Sequence, residues 1–192
     1  PVGGAEDYAD LPENDLILIT HEHGDHYDQP TLDALPEVPM IANPAVAGML
    51  PAAMAERTTT MANGDSGEAL GLPIEAIPAY NITEDRLQNH PQGRDNGYIL
   101  TIGGQRFLIA GDTEDTPELR ALTDIHVAFL PMNLPYTMSV DQAAAAVTAF
   151  APDVVYPYHH RGSDLDAFTA LVAEGGSGTQ VVVAPWYAEA DA

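Results

Sequence analysis

The chain contains no cysteine and no lysine, and its only fixed cations are six arginines. Without thiols, no redox compartment can be read. Any metal site must use nitrogen and oxygen ligands, which excludes cysteine-type zinc ribbons and iron–sulfur centres. Twenty-nine acidic residues face the six arginines, for a formal net charge of -23. Such a surface repels nucleic acid and anionic lipid, because affinity for phosphate backbones rests on Lys and Arg contacts. No apolar run approaches the ~20 residues of a transmembrane helix, and no signal peptide is visible. The expectation is a cytoplasmic protein without nucleic-acid or membrane partners. The sequence starts Pro1-Val2 without Met, so residues upstream are expected to have been cleaved or left out.

What is present suits one domain over residues 1–192. Hydrophobic residues make up 45% of the chain, and a chain of this length buries roughly 70% of its unfolded surface on folding. It needs neither disulfides nor metal merely to stay folded. The acids are dispersed along the chain, which speaks against a disordered acidic tail. Their distribution is expected to reflect adaptation to high salt, where self-repulsion and long-range fields are screened.

The pattern of elements is mixed α/β. Asp15–Thr20 is a short β-branched apolar run that reads as a buried strand, and it leads directly into a polar loop. A short helix starts at Pro30, a strand covers Val38–Ala42, and Asn43-Pro44 opens a helix running to about Glu56. Thr58–Met61 and Glu68–Leu70 are strands flanking the turn Asn63-Gly64-Asp65. Ile74–Ala79 is a further strand. Tyr80–Asn96 is a long polar stretch without periodicity, of the kind that is usually functional or disordered. A hairpin of Tyr98–Ile102 and Gln105–Ala110 delivers Gly111-Asp112-Thr113. Helices near Pro117–Leu122, Asp141–Phe150 and Asp164–Ala173 alternate with strands at His126–Leu130, Val154–Tyr158 and Gln180–Ala184. The second helix carries the capping box Ser139-x-x-Gln142, and Ser163 is expected to cap the third.

The chemistry is concentrated in His21-Glu22-His23-Gly24-Asp25-His26. In an extended segment residues i and i+2 point the same way, so His21 and His23 can grip one metal. Asp25 and His26 follow where the chain turns, with Gly24 free to take unusual backbone angles, and can face a second metal.

The spacing His21-x-His23-x-Asp25-His26 after a hydrophobic strand resembles the signature of the metallo-β-lactamase superfamily. Ala110-Gly-Asp-Thr113 and Tyr156-Pro-Tyr-His-His160 are similar to its lactonase-like branch, which includes ascorbate-6-phosphate lactonase. The resemblance spans about Asp15 to Ala184. It implies an αββα sandwich and a two-metal centre. His21, His23 and His90 would hold one ion. Asp25, His26 and His159 would hold the other, with Asp112 bridging. Zn²⁺ suits these ligands, as do Mn²⁺ and Fe²⁺. Two cations ~3.5–4 Å apart acidify a shared water, and Asp25 would orient it and relay its proton. His159 and His160 diverge at a strand end, so only one is expected to bind; the family position favours His159. His126 is expected to be structural. Tyr136 is a candidate oxyanion donor. Arg94, Asn96 and Arg161 are candidates for holding the small-molecule substrate, the arginines through a carboxylate or phosphate.

Superfamily members usually place several strands ahead of the His-rich motif, whereas only twenty residues precede His21 here and Pro1–Pro12 contains no strand signal. The N-terminal half-sheet is therefore expected to be shortened, and its exposed apolar edge to favour a homo-oligomer. Hydrolysis of a lactone or cyclic ester is the leading expectation. A phosphodiesterase or promiscuous β-lactamase is the alternative, and a non-catalytic metal-binding relic is the reading from another class.

Overall fold

Alternation along a strand decides which layer each side chain enters, and it separates the chain into four layers. The computed structural model describes residues 5–8 and 10–186. Its first sheet is three-stranded and parallel, in the order β1-β2-β3, from β1 (Ile17–Ile19), β2 (Met40–Ala42) and β3 (Thr58–Thr60). Ile17, Ile19, Met40 and Ala42 face outward onto Leu32, Val46 and Met54. Those three come from the crossover helices α1 (Gln29–Ala34), α2 (Pro44–Ala47) and α3 (Ala52–Ala55). Ile41 and Leu18 point the other way, into an inter-sheet layer with Met61, Ile74, Ala76, Tyr98 and Leu100.

The second sheet is seven-stranded, in the order β10-β9-β8-β7-β6-β5-β4. It comprises β4 (Ser66–Ala69), β5 (Leu72–Ala79), β6 (Asp95–Ile102), β7 (Gln105–Ile109), β8 (Val127–Pro131), β9 (Val154–Tyr158) and β10 (Gln180–Val181). The strands from β4 to β7 pair antiparallel and those from β7 to β10 parallel. Leu108, Ala128, Leu130 and Val155 face Val147, Phe150, Phe168 and Val172. These belong to α5 (Val140–Phe150) and α6 (Leu165–Gly175); α4 (Pro117–Arg120) adds Leu119. Helix, sheet, sheet, helix is the αββα sandwich expected from the sequence. On the opposite face of β8 and β9, Phe129 and Tyr156 stack at 5.3 Å, and Trp186 lies against both rings. Among the described residues β1 is an edge strand, and the expectation of no strand over Pro1–Pro12 lies partly outside them. The described part of that segment holds a 3-10 turn at Ala5–Tyr8.

Three local readings are corrected. The helix expected from Asn43 to Glu56 is two helices, because Pro51 lacks the N–H and carries a ring that the helix cannot accommodate. The turn Asn63-Gly64-Asp65 does not close a hairpin: β3 pairs with β2 in the first sheet and β4 with β5 in the second. The hairpin turn is instead Leu70-Gly71, both at positive φ. Asp164, not Ser163, caps α6, accepting from the Ala167 N–H at 2.9 Å, while Ser163 Oγ donates to the Met132 carbonyl at 2.6 Å. The capping box on α5 forms as expected, with both of its bonds present.

The end of β1 is fixed by the other sheet. Tyr98 Oη donates to the Ile19 carbonyl at 2.9 Å. The Thr20 carbonyl accepts from the Asn96 N–H at 3.0 Å and from Asn43 Nδ2 at 3.0 Å. Gly111, two residues past β7, passes through this junction at φ +67, where a Cβ would stand 2.7 Å from the Asn96 carbonyl oxygen and 3.1 Å from Thr20 Cβ. Only hydrogen fits. Gly111→Ala is therefore expected to lower stability by about 2–4 kcal/mol, from left-handed strain plus overpacking. Denaturant melts of the variant and wild type check this, and an unchanged midpoint would contradict it.

Candidate metal centre

Two triads of ligand atoms, each within 4.8 Å of one another, form where the ends of β1, β7 and β9 meet the loop before β6. One is His21, His23 and His90; the other is Asp25, His26 and His159. His21, buried, extends the line of β1, and its ring meets that of His23 edge-on at 4.7 Å. The chain then turns back sharply: the N–H groups of His26 and Tyr27 both donate to the His23 carbonyl at 2.8 Å. This turn swings Asp25 and His26 toward the second triad. Gly24 does not supply unusual angles, contrary to expectation. It is not among the positive-φ residues, and a Cβ there would meet nothing within 4 Å.

His159 takes φ +49, a conformation that bulky side chains rarely adopt. It places Nε2 3.0 Å from Asp25 Oδ2 and 3.5 Å from Asp112 Oδ2. His160 is in neither triad and is buried.

Asp112 lies between the triads. Its Oδ1 is 3.3 Å from His26 Nε2, and its Oδ2 is 3.5 Å from His90 Nε2. His21, His26 and Asp112 form a third overlapping group. The seven side chains His21, His23, Asp25, His26, His90, Asp112 and His159 are thus brought together.

The electrostatics favour a cation. Burial pushes His21 down to about 2, helped by the imidazoles of His26, His90 and His23 and opposed by Asp112. Burial likewise pushes His90 down to about 4, against Asp112 and the Tyr136 carbonyl. Burial would raise Asp112, but His26, His159 and His21 outweigh it and hold the carboxyl at about 2. The hydrogen bond from His159 keeps Asp25 well below the usual carboxylate range despite partial burial. Burial lowers His159, but Asp25 and Asp112 outweigh it and raise it.

The neutral imidazoles of His21 and His90 therefore face the ionised Asp112 carboxylate. His21 Nε2, His26 Nε2, His90 Nε2 and Asp112 Oδ1 are buried with no hydrogen-bond partner. Buried polar atoms normally have partners, and converging lone pairs without one repel. Divalent ions that take nitrogen and oxygen ligands fit this donor set.

Supporting contacts come from residues without a sequence signal of their own. Thr20 Oγ1 lies 3.1 Å from His21 Nδ1 and 3.5 Å from His26 Nδ1. Asn81 Oδ1 is 2.8 Å from His90 Nδ1, and Asn133 Nδ2 is 3.4 Å from His159 Nδ1. A cavity of about 960 Å³ opens beside the centre.

Of the four substrate candidates, Tyr136 and Arg161 line this cavity and Arg94 and Asn96 do not. Arg94 pairs with Asp95 at 2.7 Å and with Glu22 at 2.9 Å. Asn96 is fully buried, donating to the Met61 carbonyl at 2.7 Å and accepting from Asn63 at 2.6 Å. Both brace the junction from within. His126 is structural, as expected, its Nδ1 accepting from the Arg106 N–H at 3.0 Å. Gln88, Asn89, Tyr158 and Trp186 also line the cavity and were not anticipated.

Two sheets with two facing ligand triads at one end define a metallo-β-lactamase-fold protein. The model of the beta-lactamase superfamily domain matches residues 3–160, and the chain belongs to that family. A UPF0173 metal-dependent hydrolase of Thermococcus onnurineus is 30% identical over 172 residues, 84% of this chain and 76% of its own. A metal-dependent hydrolase structure from Parabacteroides distasonis superposes with a TM-score of 0.85 at 43% identity, covering 94% of this chain and 81% of that one. A metallo hydrolase from the hyperthermophilic archaeon Ignicoccus hospitalis gives 0.76 at 25% identity, covering 93% and 79%. The chain is a metal-dependent hydrolase of this superfamily.

The pH dependence of the metal-free protein follows from the histidines. His90 stays neutral when folded to about pH 4, whereas an unfolded histidine protonates near ~6.5. Between those values the unfolded state binds more protons, so stability falls as pH falls, by roughly 3 kcal/mol at most from this residue. Chelator-treated His90→Gln is expected to lose less melting temperature than wild type between pH 7 and 4.5. Parallel melting curves against pH would contradict the assignment.

Proposed function

We propose that the centre holds two divalent cations, zinc first among them, and hydrolyses an ester-like bond, with a lactone or cyclic ester as the favoured substrate. The observation that carries this reading is Asp112, ionised, buried and lodged between two triads of ligand atoms. His21, His23 and His90 would hold one ion and Asp25, His26 and His159 the other, with the Asp112 carboxylate shared. When bound, the ions supply Lewis acidity and lower the pKa of water.

The chain's own groups do the rest. The Asp25 side chain is 55% exposed to the cavity, and His159 keeps it ionised. It would take a proton from the attacking water, whose pKa the ions would lower, and pass it on to the leaving oxygen. The Tyr136 phenol, half exposed on the cavity wall, donates to the oxyanion that develops as the carbonyl is attacked. Arg161 on the same wall offers a fork to a carboxylate or phosphate elsewhere on the substrate. A volume near 960 Å³ suits a small molecule. A carboxylate at position 112 resembles the lactonase and phosphodiesterase branches more than the β-lactamases. The acidic composition supports operation in concentrated salt.

A second reading, phosphodiester hydrolysis, is favoured by Arg161 and would use the same groups. Lactone, phosphodiester, thioester and β-lactam panels, run at low and molar salt, separate the readings. Lactone turnover should be highest, and Asp112→Asn and Asp25→Ala should both reduce it to background. Faster phosphodiester turnover would replace the lactone assignment. Turnover on none of the four classes would favour a metal-binding protein without catalysis.

A further inference from the structure

The segment that delivers His90 is tied down far more firmly than its lack of regular structure suggests. Glu114, two residues beyond Asp112, is fully buried. Its Oε2 accepts the N–H groups of Ile82 and Thr83, both at 2.7 Å, and its Oε1 pairs with Arg86 at 2.6 Å. Arg86 in turn donates to the Thr137 carbonyl at 3.1 Å. The Asn81 N–H closes the loop onto the His90 carbonyl at 2.9 Å. Asn81 is thereby held rigidly, itself buried, between His90 and the Tyr136 segment.

The Asn81 side chain reads in one direction only. Its Nδ2 lies 2.9 Å from the Tyr136 carbonyl oxygen, which can only accept, so the amide N–H₂ must face that side. Oδ1 then faces His90 Nδ1 at 2.8 Å. An amide oxygen also only accepts, so Nδ1 must carry the proton. That leaves the lone pair on Nε2, the atom 3.5 Å from Asp112 Oδ2 that has no hydrogen-bond partner. A backbone carbonyl more than forty positions away therefore sets the tautomer of a candidate metal ligand.

We infer that Asn81 is a positioning residue with two separable tasks. Its oxygen fixes His90 as the Nδ1–H tautomer with Nε2 ready for metal, and its N–H₂ holds the Tyr136 segment against the cavity. This rests on the reading of His90 as a metal ligand. It adds that one amide couples metal affinity to substrate engagement.

Two substitutions separate the tasks. Asn81→Ala removes both. Asn81→Asp keeps an acceptor toward His90 but sets a carboxylate against the Tyr136 carbonyl. Zn²⁺ affinity, by competition with a chromophoric chelator, should fall roughly 10–100-fold in Asn81→Ala and stay near the wild-type value in Asn81→Asp. Both variants should raise KM for the ester that wild type hydrolyses. In the metal-free protein, ¹⁵N–¹H spectra should show a slowly exchanging His90 Nδ1–H in wild type and Asn81→Asp and a faster-exchanging one in Asn81→Ala, where only the Tyr136 carbonyl is left beside the ring.

Equal zinc loss in both variants would overturn the claim that the acceptor matters, and an unchanged KM in Asn81→Asp would overturn the coupling. A His90 ring protonated on Nε2 in metal-free wild type would overturn the tautomer argument whatever the metal result. Wild type that binds no zinc but shows the Nδ1–H would sink the metal reading and, with it, the coupling, while leaving the hydrogen-bond logic intact.

Discussion

The Asp112 carboxylate occupies the gap between two sets of ligand atoms, and the surrounding fold keeps it there ionised. Burial alone would neutralise it; the imidazoles of His26, His159 and His21 prevent that. The same carboxylate opposes the burial that strips protons from His21 and His90. Charge and lone pairs therefore accumulate at a point where the protein's own hydrogen bonds do not complete them. A bound metal ion would relieve that arrangement, so the donor set is assembled in the folded chain before any ion arrives.

Holding such a cluster demands rigidity from elements far apart in sequence. Gly111 lets the chain slip between Thr20 and the Asn96 carbonyl with no side chain to spare. Tyr98 and Asn96 bind the end of β1 from the opposite sheet. Glu114 anchors the His90 loop from the segment that carries Asp112. Each tie crosses from one ligand-bearing segment to another. The sheets supply ends that meet, and the buried polar ties set the distances at which they meet.

Much of this was legible in the chain itself because the signals were local. The β-branched run before His21, the Ser139–Gln142 capping box and the Gly103-Gly104 hairpin each carry their own cause within a few residues. The cluster His21 to His26 was readable because ligand chemistry restricts residue type, whereas His90, Asp112 and His159 came only from the family resemblance. Pairings that depend on distant partners were not readable. The turn at Asn63-Gly64-Asp65 looks like a hairpin until β2 claims β3. Arg94 and Asn96 sit near His90 in sequence, yet Asp95, Glu22 and Met61 turn them inward. Asn81 belongs to no motif, and its importance comes from a carbonyl at Tyr136 that only the fold brings near.

The positions of bound ions decide whether Asp112 is the shared ligand. Crystals grown with Zn²⁺ and measured at the zinc absorption edge locate them without reference to turnover. Two anomalous peaks are predicted, one within reach of His21, His23 and His90 and one within reach of Asp25, His26 and His159, with Asp112 touching both. A single peak, or peaks that leave Asp112 without a metal contact, would contradict a shared Asp112 between two ions.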